Sequence, residues 1–292
     1  MMNHYIQLMK VRIAFMVIIT CYLGFYLGQR HIGNLTIEPE IIITLINLIL
    51  GTFFTSTGAA VLNQYQERDL DKLMDRTKNR PIPLGKIKPL NALIFGILLS
   101  VIGCIYLYVT INPITSAIAL ITIVSYVMIY TPFKRISKWN TIIGAFPGAF
   151  PPVGGWTAAT ESIEIPAIIL FFILFFWQMP HFLSLAIIYK DDYAKAGFKM
   201  FPSVSNNLDS TYFQIIFFTI ALIISTISMF FIIKIGIVYL IGSVLLGIVF
   251  LIYSSIILLD KTDKRIRNLF VFSIVYLPLL MLVILLDVFL WS

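Results

Sequence analysis

The stretch Asn63–Pro83 reads NQYQERDLDKLMDRTKNRPIP. It holds four acids and five bases in 21 residues of a chain that is 59% hydrophobic. Asn63, Glu67, Asp71 and Asp75 recur every fourth residue. On a helix each such step turns only about 40°, so the four form a slowly winding stripe. Arg68, Lys72 and Arg76 repeat the spacing on the neighbouring stripe. Two carboxylates with an amide, flanked by bases, are what a hard divalent cation and an anionic ligand require.

The surroundings of this stretch set the fold class. The chain has 292 residues, a mean hydropathy of +0.94 and only 12% charged residues, about half the soluble norm. It reads as an all-α polytopic integral membrane protein. Repeated apolar runs of about 20 residues suit helices, and no alternating ten-residue pattern suggests a barrel. Nine spans are expected, near 11–28, 41–62, 89–109, 114–131, 140–158, 166–189, 211–233, 237–259 and 268–290. They form one transmembrane domain over residues 1–292, with charged loops near 63–88 and 190–210. The fifth span holds Pro147, Pro151, Pro152 and several glycines, so a break or kink is expected there. That feature is either a packing kink or a cavity wall. Cys21 and Cys104 fall in apolar runs and read as small packing residues. Lys10 and Arg12 precede an apolar run without a small-residue cleavage site, so the segment is expected to stay as the first helix.

The bases set the orientation. Two lie at the N-terminus, seven in 63–88, three in 132–139, three in 190–210 and four in 260–267. Only Arg30 and Lys234 remain for the other side. This asymmetry predicts a cytoplasmic N-terminus and cytoplasmic charged loops, with an external C-terminus. It also explains the net charge of +7 without a nucleic-acid partner.

Acids gain nothing from that topology rule, so their clustering needs another cause. Asp191 and Asp192 stand directly after an apolar run, among Lys190, Lys195 and Lys199. Carboxylates on two loops facing each other over Mg²⁺, with bases holding phosphates, suit a diphosphate head at the membrane surface. Its tail would lie among the helices, which describes a prenyl diphosphate. Metal and bases would neutralise the leaving diphosphate, and aromatic faces would stabilise an allylic cation.

Asn63-x-x-x-Glu67-x-x-x-Asp71 resembles the first acidic motif of the UbiA-type intramembrane prenyltransferases, in order and spacing over nearly the whole chain. Within that superfamily the chain is most similar to the protohaem IX farnesyltransferase branch. The residues that carry this are Met74-Asp75-Arg76-Thr77, Arg80-Pro81, Trp139-Asn140 and Pro151-Pro152-x-Gly154-Gly155-Trp156. His181-Phe182 and Asp192-Tyr193-x-x-x-Gly197-x-x-Met200-x-Pro202 complete the set. The resemblance implies a nine-helix bundle around a cavity capped by cytoplasmic loops, in a prokaryotic inner membrane. It implies Mg²⁺-dependent transfer of farnesyl from farnesyl diphosphate to a vinyl group of haem b. Carried over position by position, Asn63, Glu67, Asp71 and Asp192 hold Mg²⁺, with Asp191 as a further candidate. Arg76, Lys10, Lys134 and Arg135 contact diphosphate, and Arg80 serves the diphosphate or a haem propionate. Membrane lipid and a downstream haem A synthase or terminal-oxidase assembly are the implied partners.

The chain departs from the pattern at four points. Glu67 stands where the family usually has Asp, Lys199 where it often has Pro, and Lys10-Val11-Arg12 lacks the usual Pro. Asp191 and Asp192 are adjacent rather than spaced, which favours Asp192 in its Asp-Tyr context. His4 and His31 lie near chain or loop ends, but His181 follows Trp177-Gln178-Met179-Pro180 inside an apolar run. It is either a hydrogen-bonded core histidine or a haem contact, as ligand or proton donor. A UbiA-type enzyme acting on a quinone or chlorin precursor is one competing reading, and the signatures at Arg76–Pro81 and His181 argue against it. A transporter is another, and would need acids within the spans, where only Asp287 qualifies. A membrane assembly subunit without chemistry is a third.

Cysteines introduced by Lys86→Cys and Lys264→Cys should label from the cytoplasmic side alone. Labelling of either from outside intact cells would overturn the orientation.

Overall fold

A computed structural model describes residues 2–34, 38–204, 207–233 and 235–291. Lys234, one of the two bases expected outside, lies beyond the described residues. The elements in order are α1 (Met2–Met9), α2 (Val11–His31), α3 (Pro39–Asp71), α4 (Pro89–Thr110) and α5 (Pro113–Val124). A π-helical segment (Ser125–Tyr130) and α6 (Thr131–Phe133) continue α5. Then come α7 (Asn140–Thr160), α8 (Ile165–Ile188), α9 (Lys190–Lys195) and α10 (Phe201–Val204). The chain ends with α11 (Asp209–Ile232), α12 (Ile237–Leu259) and α13 (Asp263–Trp291). No strand occurs among the described residues.

Among the described residues, eight helices are long and apolar enough to cross a membrane. They correspond to eight of the nine expected spans. The other is α7, whose glycines and prolines lower its hydropathy. It is one continuous helix from Asn140 to Thr160, with Pro147, Pro151 and Pro152 inside it. The expected break does not occur. The reason lies in its packing: α7 is clasped by α2 at glycines on both helices. A Cβ on Gly155 would lie 1.8 Å from the Cys21 carbonyl oxygen, and one on Gly24 would lie 1.9 Å from that of Pro152. Such backbone-to-backbone contact is how helices associate without a hydrophobic drive between them.

Helix contacts close into two rings. Helices α2, α3, α4, α5 and α7 each pack on the next and return to α2. Helices α8, α11, α12 and α13 form a second closed set, joined to the first through α7 and α8. The second ring is filled by Leu222, Phe250, Tyr276 and their neighbours. Several of its polar groups satisfy one another: Thr219 meets Ser254 at 2.9 Å, and the Tyr239 hydroxyl donates to the Thr226 carbonyl at 2.8 Å. The first ring encloses a cavity. Proline opens α3, α4 and α5 at the first positions, where its missing N–H costs nothing.

Asp287 has a structural partner. Its carboxylate is fully buried and accepts from the Gly236 and Tyr239 backbone N–H groups at 2.7 and 3.0 Å. Those groups start α12, so an acid on α13 caps the first turn of another helix. Asp287→Leu should leave two buried donors unpaired, at about 1–3 kcal/mol each. Thermal unfolding in detergent should show a lowered midpoint, with a smaller loss for Asp287→Asn, which keeps an acceptor. An unchanged midpoint for Asp287→Leu would refute the capping role.

Candidate functional site

Three members of the acidic stripe stay on α3. Asn63, Glu67 and Asp71 are 1%, 6% and 0% exposed. The helix ends at Asp71, so Asp75 leaves the stripe; it is exposed and pairs with Lys78 and Lys195. Thr77 explains the ending: its hydroxyl donates to the Asp71 carbonyl at 2.9 Å, turning the chain back over the helix terminus. That reversal delivers Arg80 rather than Arg76 to the stripe. Arg80 NH1 reaches Oδ1 and Oδ2 of Asp71 at 2.8 and 2.7 Å.

Two further bases converge from other elements. Lys134, just after α6, meets Glu67 Oε1 at 2.7 Å. Burial alone would pull its pKa down, but the Glu67 carboxylate, with Tyr130 and Tyr126, carries it above the usual lysine range. Lys10 donates to Asn63 Oδ1 at 3.4 Å from a left-handed backbone (φ 48°) between α1 and α2. This is uncommon for a residue with a Cβ and marks a bend that aims the side chain at the stripe. Burial and the Arg80 guanidinium pull the Lys10 ammonium down to about 7, against the opposite pull of Glu67.

The second charged loop closes over the first. Met74 packs with Ala186, Ala196, Phe198 and Met200 in a small apolar cluster. Arg76 donates to the Tyr193 hydroxyl at 3.2 Å and lies 5.2 Å from the centroids of the Tyr189 and Tyr193 rings. Lys195 bridges Asp75 and Asp192 at 3.2 and 3.6 Å. The Lys199 N–H donates to the Lys134 carbonyl at 2.8 Å, and buried Asn140 donates to that of Lys199 at 2.8 Å. Arg76 is therefore exposed and clasps the two loops through Tyr189 and Tyr193. Asp191 and Arg135 are also exposed, while the Asp192 side chain is 15% exposed.

Below the stripe the five-helix ring lines a partly open cavity of about 60 Å³. Its wall on α3 is Leu48, Thr52, Thr55, Ser56 and Ala59, so Ala59 lies one turn before Asn63. Phe150, Pro151 and Gly154 of α7 line it too, which makes that helix a cavity wall. The hydroxyls of Thr55, Ser56 and Thr122 bond to carbonyls of their own helices. The cavity thus meets an apolar wall despite its threonines. One helix carries an apolar lining and, directly beyond it, a polar ladder.

The donors fit a hard cation: two carboxylates and an amide oxygen. Asn63 to Asp71 spans about 12 Å of helix, against a Mg²⁺–oxygen distance of about 2 Å, so these three side chains would not all meet at one ion. No three acid, histidine or cysteine side chains converge on a single metal position among the described residues. His181 stands apart, on α8 against α13. Sequence reading placed Thr77 only within a motif, without a role, and did not single out Thr131, which accepts from Asn63 at 3.2 Å and donates to the Tyr126 carbonyl. It also missed the π-helical turn from Ser125 to Tyr130, a form frequent at functional sites. The one available signal was Pro132, whose missing N–H loosens the helix before it.

The model of the UbiA prenyltransferase family matches residues 17–280. A Protoheme IX farnesyltransferase from Solibacter usitatus is 40% identical, covering 98% of this chain and 99% of its own. In shape the chain is similar to a digeranylgeranylglyceryl phosphate synthase, with a TM-score of 0.81 at 18% identity, covering 98% of both chains. It is also similar to a UbiA homologue from Archaeoglobus fulgidus bound to DMAPP and Mg²⁺, with a TM-score of 0.67 at 17% identity, covering 96% of this chain and 98% of that one.

The Asp71–Arg80 pair generates a prediction. Removing one partner leaves a buried charge unpaired, costing about 3–5 kcal/mol. Arg80→Met should therefore lower the unfolding midpoint strongly, and adding Asp71→Leu should recover part of the loss. A double variant no more stable than the sum of its singles would contradict the pairing.

Proposed function

Because the chain belongs to the UbiA prenyltransferase family, we propose that it transfers the farnesyl group of farnesyl diphosphate to a vinyl group of haem b, forming haem O. One observation carries this reading beside the family: α3 presents a buried oxygen ladder directly above an apolar cavity. A polar head and an isoprenoid tail would be sorted along a single helix. An extended three-bond unit spans about 3.6 Å, so three four-bond isoprenyl units span about 15 Å. From Asn63 down to Leu48 the helix rises about 22 Å, enough to hold them.

Asn63, Glu67, Asp71 and Asp192 would hold Mg²⁺, with Asp191 beside them. The metal supplies Lewis-acid neutralisation of phosphate oxygens when bound. Lys10, Lys134 and Arg80 already converge there, and they would take up the charge that develops on the leaving diphosphate. Their low-dielectric setting strengthens each contact. The Lys134 ammonium lies 4.5 Å from the centroid of the Tyr130 ring, whose π-face helps hold it in place. Arg76 would hold the lid loops together, while His181 would contact haem. The charged face is the cytoplasmic side of a prokaryotic inner membrane. Haem O would pass from there to a haem A synthase or an oxidase assembly.

Purified protein incubated with haem b, farnesyl diphosphate and Mg²⁺ should yield haem O by mass. Asp71→Asn should lower the initial rate per folded molecule by on the order of a hundredfold. Asp69→Asn, at an exposed carboxylate beside Lys72, should stay near wild type. Absence of product would overturn the substrate assignment, and normal turnover by Asp71→Asn would overturn the ladder's role.

A further inference from the structure

His181 sits seven residues before the end of α8, about 10 Å inside the bundle. Its ring lies against Trp177, with centroids 5.2 Å apart at 16°, and against Phe270 of α13, 4.9 Å apart at 25°. Its Nδ1 is 2.8 Å from the hydroxyl of Ser273, which is fully buried. The same serine is fixed twice more. Its hydroxyl donates to the Phe270 carbonyl at 2.6 Å, and its own carbonyl accepts from Trp177 Nε1 at 2.7 Å.

Counting protons decides the tautomer. A serine hydroxyl has one hydrogen. The Phe270 carbonyl has none to give, so a 2.6 Å contact requires the hydroxyl hydrogen to point there. Toward His181 the serine oxygen can then only accept, and Nδ1 must carry the hydrogen. In a neutral imidazole the lone pair is left on Nε2. That nitrogen makes no hydrogen bond among the described residues and is not sealed by protein. No carboxylate pairs with the ring among the described residues, so nothing there stabilises an imidazolium.

We propose that Ser273 is a positioning residue that holds His181 in the Nδ1–H form, leaving Nε2 to ligate the iron of the haem substrate. A histidine ligand whose other nitrogen donates to a fixed acceptor is the arrangement that orients a ring and raises its basicity. Between ligand and proton donor, the two roles the sequence leaves open, the geometry selects the ligand. The inference rests on haem being the prenyl acceptor.

Two measurements on the full-length protein test it. The first uses ¹⁵N-histidine spectra of haem-free protein, assigned by the signal lost in His181→Ala. A protonated Nδ1 and a bare Nε2 are expected; a protonated Nε2 would overturn the proposal. The second titrates haem b and records resonance Raman spectra of the ferrous complex. Wild type should show an iron–histidine stretch that His181→Ala abolishes. Ser273→Ala should weaken haem binding about tenfold and lower the stretching frequency. Ser273→Thr, which keeps a hydroxyl, should restore both. Haem bound without an iron–histidine stretch, or a stretch that survives His181→Ala, would overturn the proposal while leaving the substrate assignment intact. Failure of wild type to bind haem would instead remove the substrate assignment and the ligand role with it.

Discussion

Two carboxylates buried on one helix inside a membrane-embedded bundle are the constraint on which the rest depends. Glu67 and Asp71 are almost inaccessible, and an uncompensated charge there would cost several kcal/mol. The chain meets that cost with bases drawn from distant segments: Lys134 lies 67 residues from Glu67, and Lys10 lies 53 from Asn63. Each pairing ties down a different piece of backbone. Arg80 requires the reversal at Thr77, Lys134 the end of the α5 extension, and Lys10 a left-handed bend. The charged cap is thus shaped by the electrostatics of α3.

The two rings divide the remaining labour. The α8–α11–α12–α13 ring is filled by apolar side chains and pairs several of its polar groups, Thr219 with Ser254 and Tyr239 with the Thr226 carbonyl. The α2–α3–α4–α5–α7 ring is hollow because its walls use small and hydroxylated residues whose polar atoms turn back to their own helices. A head-and-tail substrate suits the hollow ring. The planar acceptor would meet the edge of the filled one, where His181 is held by Ser273. Helices α7 and α8 form the seam between them.

Much of this was legible in the residues. Apolar runs gave the helices, and four-residue spacing gave the ladder of Asn63, Glu67 and Asp71. Spacing failed at Asp75 because it assumes that the helix continues, and a single hydroxyl from Thr77 ends it. The same ending exchanges Arg76 for Arg80, since a base three to five residues onward faces the ladder only on an unbroken helix. Proline content suggested a broken α7, but contact with α2 at Gly24 and Gly155 holds it continuous. Tertiary packing of that kind leaves no local signature. Nor does the partner of a histidine 92 residues away in sequence.

If Glu67 and Asp71 hold metal as proposed, they would exchange their lysine and arginine partners for it only when a diphosphate arrives to take over those bases. Mn²⁺ binding, followed by electron paramagnetic resonance in place of Mg²⁺, tests it directly. In protein alone the affinity should be low, and farnesyl diphosphate should raise it about tenfold or more, a normal size for coupled binding. Mn²⁺ affinity that is the same with and without the diphosphate would contradict the account.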